Sequence, residues 1–113
     1  MPTYKESKTF AERRAESKEY KGKYLSTRIP VVFEPRRSEG LPQIRRRVQA
    51  VRVGTSMSGF AELIRRQLRL RRPNVINFSI PHIDVIYCDW KFEELYDNYQ
   101  DGDGFLYLNY HVV

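Results

Sequence analysis

The chain has a single cysteine, Cys88, in 113 residues, which excludes an internal disulfide and any zinc site built from several thiolates. No apolar run approaches the roughly 20 residues that span a bilayer. The opening Met1-Pro2-Thr3-Tyr4-Lys5-Glu6 lacks the apolar stretch of a secretory signal. There are two histidines, His82 and His111, with no metal-ligand spacing to any partner. A nucleophilic Cys88 would need one of them as base, and its neighbours Ile86, Tyr87 and Trp90 point instead to an inert core thiol. Gly54 and Gly59 stand apart without the Lys-Ser/Thr ending of a phosphate loop. Asp101-Gly102-Asp103-Gly104 has the look of a calcium loop but lacks its later ligands and closing Glu, so it reads as a hairpin turn. An integral membrane protein, a disulfide scaffold and a zinc module are excluded by this reading, and an enzyme is not expected. The expectation is a cytosolic protein with no catalytic residues, no metal and no cofactor.

What is present fits one compact domain: 41% hydrophobic residues and 13% aromatics over a length suited to a single core. Charge is unevenly spread. Residues 1–73 hold 19 of the 20 basic side chains against 7 acids, a local balance of +12. Residues 74–113 hold Lys91 alone against 7 acids, a balance of −6. That polarity invites an anionic partner: nucleic acid, acidic peptide or anionic membrane surface. The clusters Arg45-Arg46-Arg47, Arg65-Arg66, Arg69 and Arg71-Arg72 suit phosphate contact, and more readily suit a solvated helix face and strand end. No aromatic RNA platform accompanies them, so a basic RNA-binding module stands as the second hypothesis.

Thr9-Phe10-Ala11-Glu12 has the spacing of a capping box, followed by a charged helix to about Lys21, with Phe10 and Tyr20 as apolar anchors and Gly22 as its break. Arg28–Glu34, bounded by Pro35, is β-branched and aromatic; Ile29, Val31 and Phe33 share one face, Pro30 and Val32 the other. Pro30 has no backbone donor and belongs at a strand start or facing a groove. After a loop over residues 36–42, Arg47–Val53 alternates as a second strand. Phe60, Leu63, Ile64 and Leu68 mark an amphipathic helix over Met57–Leu70, capped by Ser56 or Ser58 and ended by Pro73. Val75–Ser79 reads as a strand, and Ile83–Tyr87 as another. Asp89 is placed to cap a short helix carrying Phe92, Leu95, Tyr96 and Tyr99. Phe105–Tyr110 has the composition of a buried central strand. Two strands, a crossover helix and a late apolar strand parallel to the first give the order of an α+β, ubiquitin-like β-grasp.

The pieces Phe10-x-x-Arg13-Arg14-x-Glu16, Lys23-Tyr24, Arg28-Ile29-Pro30-Val31, Phe60-x-x-Leu63-Ile64-Arg65, Leu70, Glu94-Leu95-Tyr96 and Asp103-Gly104-Phe105-Leu106-Tyr107 run in one order over about residues 10–110. In this the chain resembles the autophagy ubiquitin-like modifiers, the group containing microtubule-associated light-chain-three and GABA-receptor-associated protein. The resemblance implies a mixed four-stranded sheet on a central helix with two N-terminal helices. Residues 1–26 would be a helical extension and 27–113 the ubiquitin-like domain. It also implies a non-enzymatic modifier or adaptor that binds aromatic-x-x-aliphatic peptides of cargo receptors and autophagy factors by adding a strand to a sheet edge. By motif, Glu16, Tyr20, Pro30, Ala50 and Phe105 would form the first pocket, and Val51, Met57, Phe60 and Leu63 the second. Arg28, Arg46 and Arg47 would meet acidic residues flanking the peptide's aromatic. The expected location is cytoplasmic, with association with autophagosomal membranes.

Two features depart from the family. Its edge strand reads Lys-Tyr-Leu-Val-Pro, where this chain has Val48-Gln49-Ala50-Val51-Arg52. Ala50 widens or flattens the first pocket and Arg52 sets charge beside the second. Family members are cut by processing enzymes to expose a C-terminal glycine, which conjugation enzymes attach to phosphatidylethanolamine. Here eight residues follow Phe105, none of them glycine. Either the native chain extends further or this route to membrane phospholipid is closed. A protein-conjugating modifier of the same pathway also ends in glycine, so this alternative meets the same obstacle.

Overall fold

The computed structural model describes residues 2–35, 46–69, 76–80 and 89–112. The loop expected over 36–42, the strand expected at Ile83–Tyr87, and Arg45, Leu70, Arg71, Arg72, His82 and Cys88 lie outside the described residues. Two short-range caps start the chain. Thr3 accepts from Glu6 N–H at 3.2 Å while Glu6 reaches back to Thr3 N–H, opening α1 (Tyr4–Ser7). Thr9 and Glu12 make the same box for α2 (Phe10–Tyr24).

Gly22 does not break α2, as the sequence had suggested. The helix runs on to Tyr24 and stops at Leu25, whose φ of 45° gives a left-handed C-cap with its N–H donated to Lys21 O. A mid-helix glycine costs about 1 kcal/mol, which the stacked Tyr20 and Tyr24 rings, 6.2 Å apart across it, help offset. Phe10 is not a buried anchor either: it is 49% exposed, lying over Gly102 and the Arg13 guanidinium.

The strands are β1 (Arg28–Pro35), β2 (Val48–Arg52), β3 (Ile76–Ser79) and β4 (Leu106–Val112), in the order β2-β1-β4-β3. β1 pairs antiparallel with β2 and parallel with β4, and β3 closes antiparallel on β4. The parallel pair needs a crossover, which contains α3 (Met57–Leu68) and α4 (Phe92–Tyr99). Ser56, not Ser58, caps α3 through Gly59 N–H, and Arg69 ends it in left-handed backbone. Asp89 does not cap α4. Lys91 holds the cap position without a side-chain bond, and a bridge between Ser56 and Lys91 fixes the entry. There Met57 N–H donates to Trp90 O and Phe92 N–H to Thr55 O. Residues 101–104 turn from α4 into β4, not between two strands.

The alternation in β1 sorts the two cores. Ile29, Val31 and Phe33 face Met57, Phe60 and Ile64 of α3 and Phe92 and Leu95 of α4. Phe33 and Phe60 stack at 4.4 Å. Each such side chain, taken out of water, contributes about 1.5–3 kcal/mol. Val32 turns to the opposite face, where Tyr4 of α1 and Phe105 pack with Tyr20 of α2. The chain is thus an α+β, ubiquitin-like β-grasp with two N-terminal helices on the sheet's second face.

Candidate functional site

β2 is the first strand of the sheet and has no neighbour beyond it among the described residues. Val53 N–H donates to Thr27 O and Phe33 N–H to Arg47 O, with Ile29 opposite Val51 and Val31 opposite Gln49 between them. These odd-numbered positions carry the bonds to β1. In an antiparallel ladder, the alternate residues then turn their N–H and C=O groups away. Val48 and Ala50 therefore present their backbone groups to the open edge, while the Arg52 carbonyl accepts from Thr55 N–H at 3.2 Å in the following turn. Pro30, opposite Ala50, falls at a pair that exchanges no hydrogen bonds, so its missing donor costs β1 nothing on this side.

A groove of about 860 Å³ runs along this edge. Tyr20 and Tyr24 wall it on the α2 side, Val48, Gln49 and Ala50 form its floor, and Gln67 and Arg69 close it on the α3 side. Arg28 and Arg46 add two more cations. Burial raises the Tyr20 hydroxyl pKa, helped by the nearby Glu16 charge, so its ring is the apolar part of this wall and its OH stays protonated. Arg28 lies with its guanidinium 5.4 Å from the Tyr24 ring centre, and its Nη1 donates to Ala50 O at 3.1 Å. Gln49 ties β2 to α3: its Nε2 donates to Arg46 O at 3.0 Å and reaches Gln67 Oε1 at 3.5 Å.

Of the residues expected for a first pocket, Tyr20 and Ala50 line the groove itself. Glu16 lines an adjoining recess of about 420 Å³ with Tyr4, Lys8, Arg46 and Arg47, and there it accepts from Tyr4 OH and Lys8 Nζ. That burial and bond hold the Tyr4 hydroxyl far above its ordinary pKa. Phe105 is fully buried, with the Tyr4 and Tyr20 rings edge-on to it at 5.6 and 6.1 Å. It supports the wall from beneath. Pro30 lines a separate hollow beyond Arg28, with Leu25, Val53 and Tyr96. On the α3 side, Val51, Met57 and Phe60 are buried in the main core, and Leu63 is 45% exposed.

Arg28 and Arg46 stand in the groove, whereas Arg47 is occupied with the N-terminal segment: its Nη1 donates to Pro2 O at 3.0 Å and lies 3.5 Å from Glu34. Sequence reasoning missed Tyr24, Val48, Gln49, Gln67 and Arg69. Tyr24 is one helical turn after Tyr20 and Val48 two residues before Ala50, so both periodicities were there to find. Gln67 and Arg69 meet the groove only through tertiary packing.

The turn after α4 is clamped beneath α2. Asp103, with no exposed surface, accepts from Arg13 Nη1 at 2.7 Å, from Tyr107 OH and from Phe105 N–H at 2.9 Å. Ser17 Oγ donates to Asp103 O, and Arg14 to Gly102 O. Asp101 accepts from Lys5 Nζ at 2.7 Å. The two carboxylates of the calcium-like motif are thus consumed by α1, α2 and β4. No group of three or more metal-ligating side chains occurs among the described residues.

Residues 12–112 match the family described as "Autophagy protein Atg8 ubiquitin like". The chain belongs to the Atg8 family. It is 32% identical to Autophagy-related protein 8i of Arabidopsis thaliana over 114 aligned residues, covering 97% of this chain and 94% of the relative. It is 30% identical to Autophagy-related protein 8 of Pichia angusta, covering 95% of this chain and 84% of that one. Its backbone superposes on the crystal structure of Trypanosoma brucei ATG8 with a TM-score of 0.90 over 99% of this chain and 95% of that one, at 21% identity, a likeness of fold. Plasmodium falciparum Atg8, solved in complex with a Plasmodium falciparum Atg3 peptide, matches with a TM-score of 0.84 at 28% identity, over 98% and 96% of the two chains. This Atg8 family member is accordingly a ubiquitin-like modifier of autophagy, the identity anticipated from its motifs.

Proposed function

We propose that this protein recruits short peptides of autophagy factors by adding them as an extra strand to β2. The observation that carries the reading is the groove along that open edge, where backbone donors and acceptors lie between an aromatic wall and three arginines. Strand addition draws its affinity from the backbone and its selectivity from side-chain pockets. Tyr20, Tyr24 and the small Ala50 leave room for an aromatic side chain, and Leu63 offers an apolar contact near the other face. Arg28, Arg46 and Arg69 favour acidic flanks. The ligand classes are receptor peptides with an aromatic-x-x-aliphatic core and peptides of conjugation enzymes, the latter supported by the Atg3 peptide bound to the Plasmodium falciparum relative. The site of action is the cytoplasm and the autophagosomal membrane.

Calorimetric titration with an acidic-flanked Trp-x-x-Leu peptide tests it. The expected result is a dissociation constant near the micromolar range, about −8 kcal/mol, lost when Trp and Leu are both changed to Ala. A folded sample that binds neither peptide overturns the proposal.

A further inference from the structure

The groove contains a contact that competes with peptide docking. Ala50 turns its carbonyl to the open edge, where an added strand of either direction would take it as an acceptor. That carbonyl already accepts from Arg28 Nη1 at 3.1 Å, and the guanidinium lines the groove that the incoming strand would enter. Arg28 projects from the start of β1, opposite Arg52 in the register, and passes the Tyr24 ring to reach it. No carboxylate lies within ion-pair distance of Arg28 among the described residues. The guanidinium is therefore held by a neutral acceptor and one aromatic face, both weaker partners than a carboxylate or phosphate.

We infer that Arg28 is a latch on the edge strand, and that the groove selects peptides whose carboxylate or phosphate group draws Arg28 off the Ala50 carbonyl. The inference rests on the strand-addition reading and deepens it. An acidic residue in the peptide has two effects: it gains a charge-assisted bond, and it frees the acceptor that the incoming strand requires. A neutral peptide must displace Arg28 with nothing to receive it. Selectivity thus includes a penalty against neutral ligands as well as an attraction for acidic ones.

The two contributions separate in Arg28→Ala. Attraction alone predicts weaker binding of an acidic peptide and no change for a neutral one. The latch predicts that the neutral-flanked Trp-x-x-Leu peptide binds Arg28→Ala about two- to tenfold tighter than it binds the wild type, the range of one hydrogen bond. The acidic-flanked peptide binds the variant more weakly. Calorimetry with both peptides on both proteins reads this out. The carbonyl carbon shift of Ala50, measured by NMR without peptide, should also move in Arg28→Ala. An unmoved Ala50 shift, or a neutral peptide that gains nothing from the variant while still binding, overturns the latch. A moved shift with no peptide bound by either protein overturns the strand-addition reading, and the selectivity role with it. Arg28 is exposed, so its truncation leaves the core untouched.

Discussion

Asp103 gathers more of the molecule than any other polar side chain described, since one carboxylate satisfies a helix cation, a strand hydroxyl and a backbone amide. The Arg13 side chain is 11% exposed and that of Asp103 not at all, so the pair lies well away from solvent screening. Asp103→Ala would leave a buried guanidinium and the Tyr107 hydroxyl without their acceptor. A loss of about 3–5 kcal/mol is expected, measured as the urea unfolding free energy. The glycine of the same turn makes a sharper comparison with the one that follows β2. Gly104 has φ +94°, and a Cβ there would stand 2.5 Å from Ser17 Oγ, which is itself buried and bonded to Asp103 O. Gly54 has φ +88° with nothing within 4 Å. Both alanine variants suffer the backbone strain, about 1–3 kcal/mol, so Gly104→Ala should unfold at lower urea than Gly54→Ala. Equal midpoints would show that Ser17 moves aside at no cost.

At the scale of elements, α1 is too short to persist alone and is kept by its contacts. Tyr4 N–H donates to Glu34 at 2.9 Å, Tyr4 OH to Glu16, and Lys5 to Asp101. Burial alone would raise the Asp101 pKa. The hydrogen bond from Lys5, the Asp103 amide and the positive charges of Lys5 and Arg13 outweigh it and hold the carboxyl below its ordinary 3.8. A group depressed in the folded state stabilises fully above its unfolded pKa and loses that contribution as pH falls through the folded value. Acidification below 3.8 should therefore loosen α1 and the turn together. The drop in urea midpoint from about pH 5 to about pH 3 is expected to be smaller in Asp101→Asn than in the wild type; an equal drop would remove Asp101 from the acid response.

Much of this level was legible beforehand. The Thr9–Glu12 spacing marked the start of α2, and the alternation in Arg28–Glu34 sorted the two cores. The same spacing occurs at Thr3 and Glu6, but the four residues of α1 carry no periodicity to support it, so that helix follows only from the family resemblance. Gly22 misled because propensity is a weak prior once tyrosines pack across a helix. In the groove, Tyr20, Ala50, Arg28 and Arg46 followed from motif. The contact of Arg28 with Ala50 O required the strand register, which no local pattern contains.

Over the whole molecule, three arginines of the basic stretch 1–73, Arg28, Arg46 and Arg69, line the groove at the edge of the sheet, while Glu93 and Asp97 of α4 line the neighbouring hollow beyond Arg28. A basic groove along an open strand admits an acidic peptide strand, and a basic surface alone would also admit RNA. The backbone at Ala50 distinguishes them. Its N–H faces outward and takes no part in the β1 ladder, so proline is compatible there as it is on other edge strands. Ala50→Pro would leave Arg28, Arg46 and Arg69 in place and change no charge, while removing one donor and placing a ring against the incoming strand. Binding of the acidic Trp-x-x-Leu peptide should fall about tenfold or more, one hydrogen bond plus the steric conflict, with the unfolding midpoint little changed. Affinity for a single-stranded RNA, which would follow charge and decline steeply with salt, should be unaltered by the substitution. Undiminished peptide binding by a folded Ala50→Pro would mean that the ligand is held by the arginines and the aromatic wall without forming a strand.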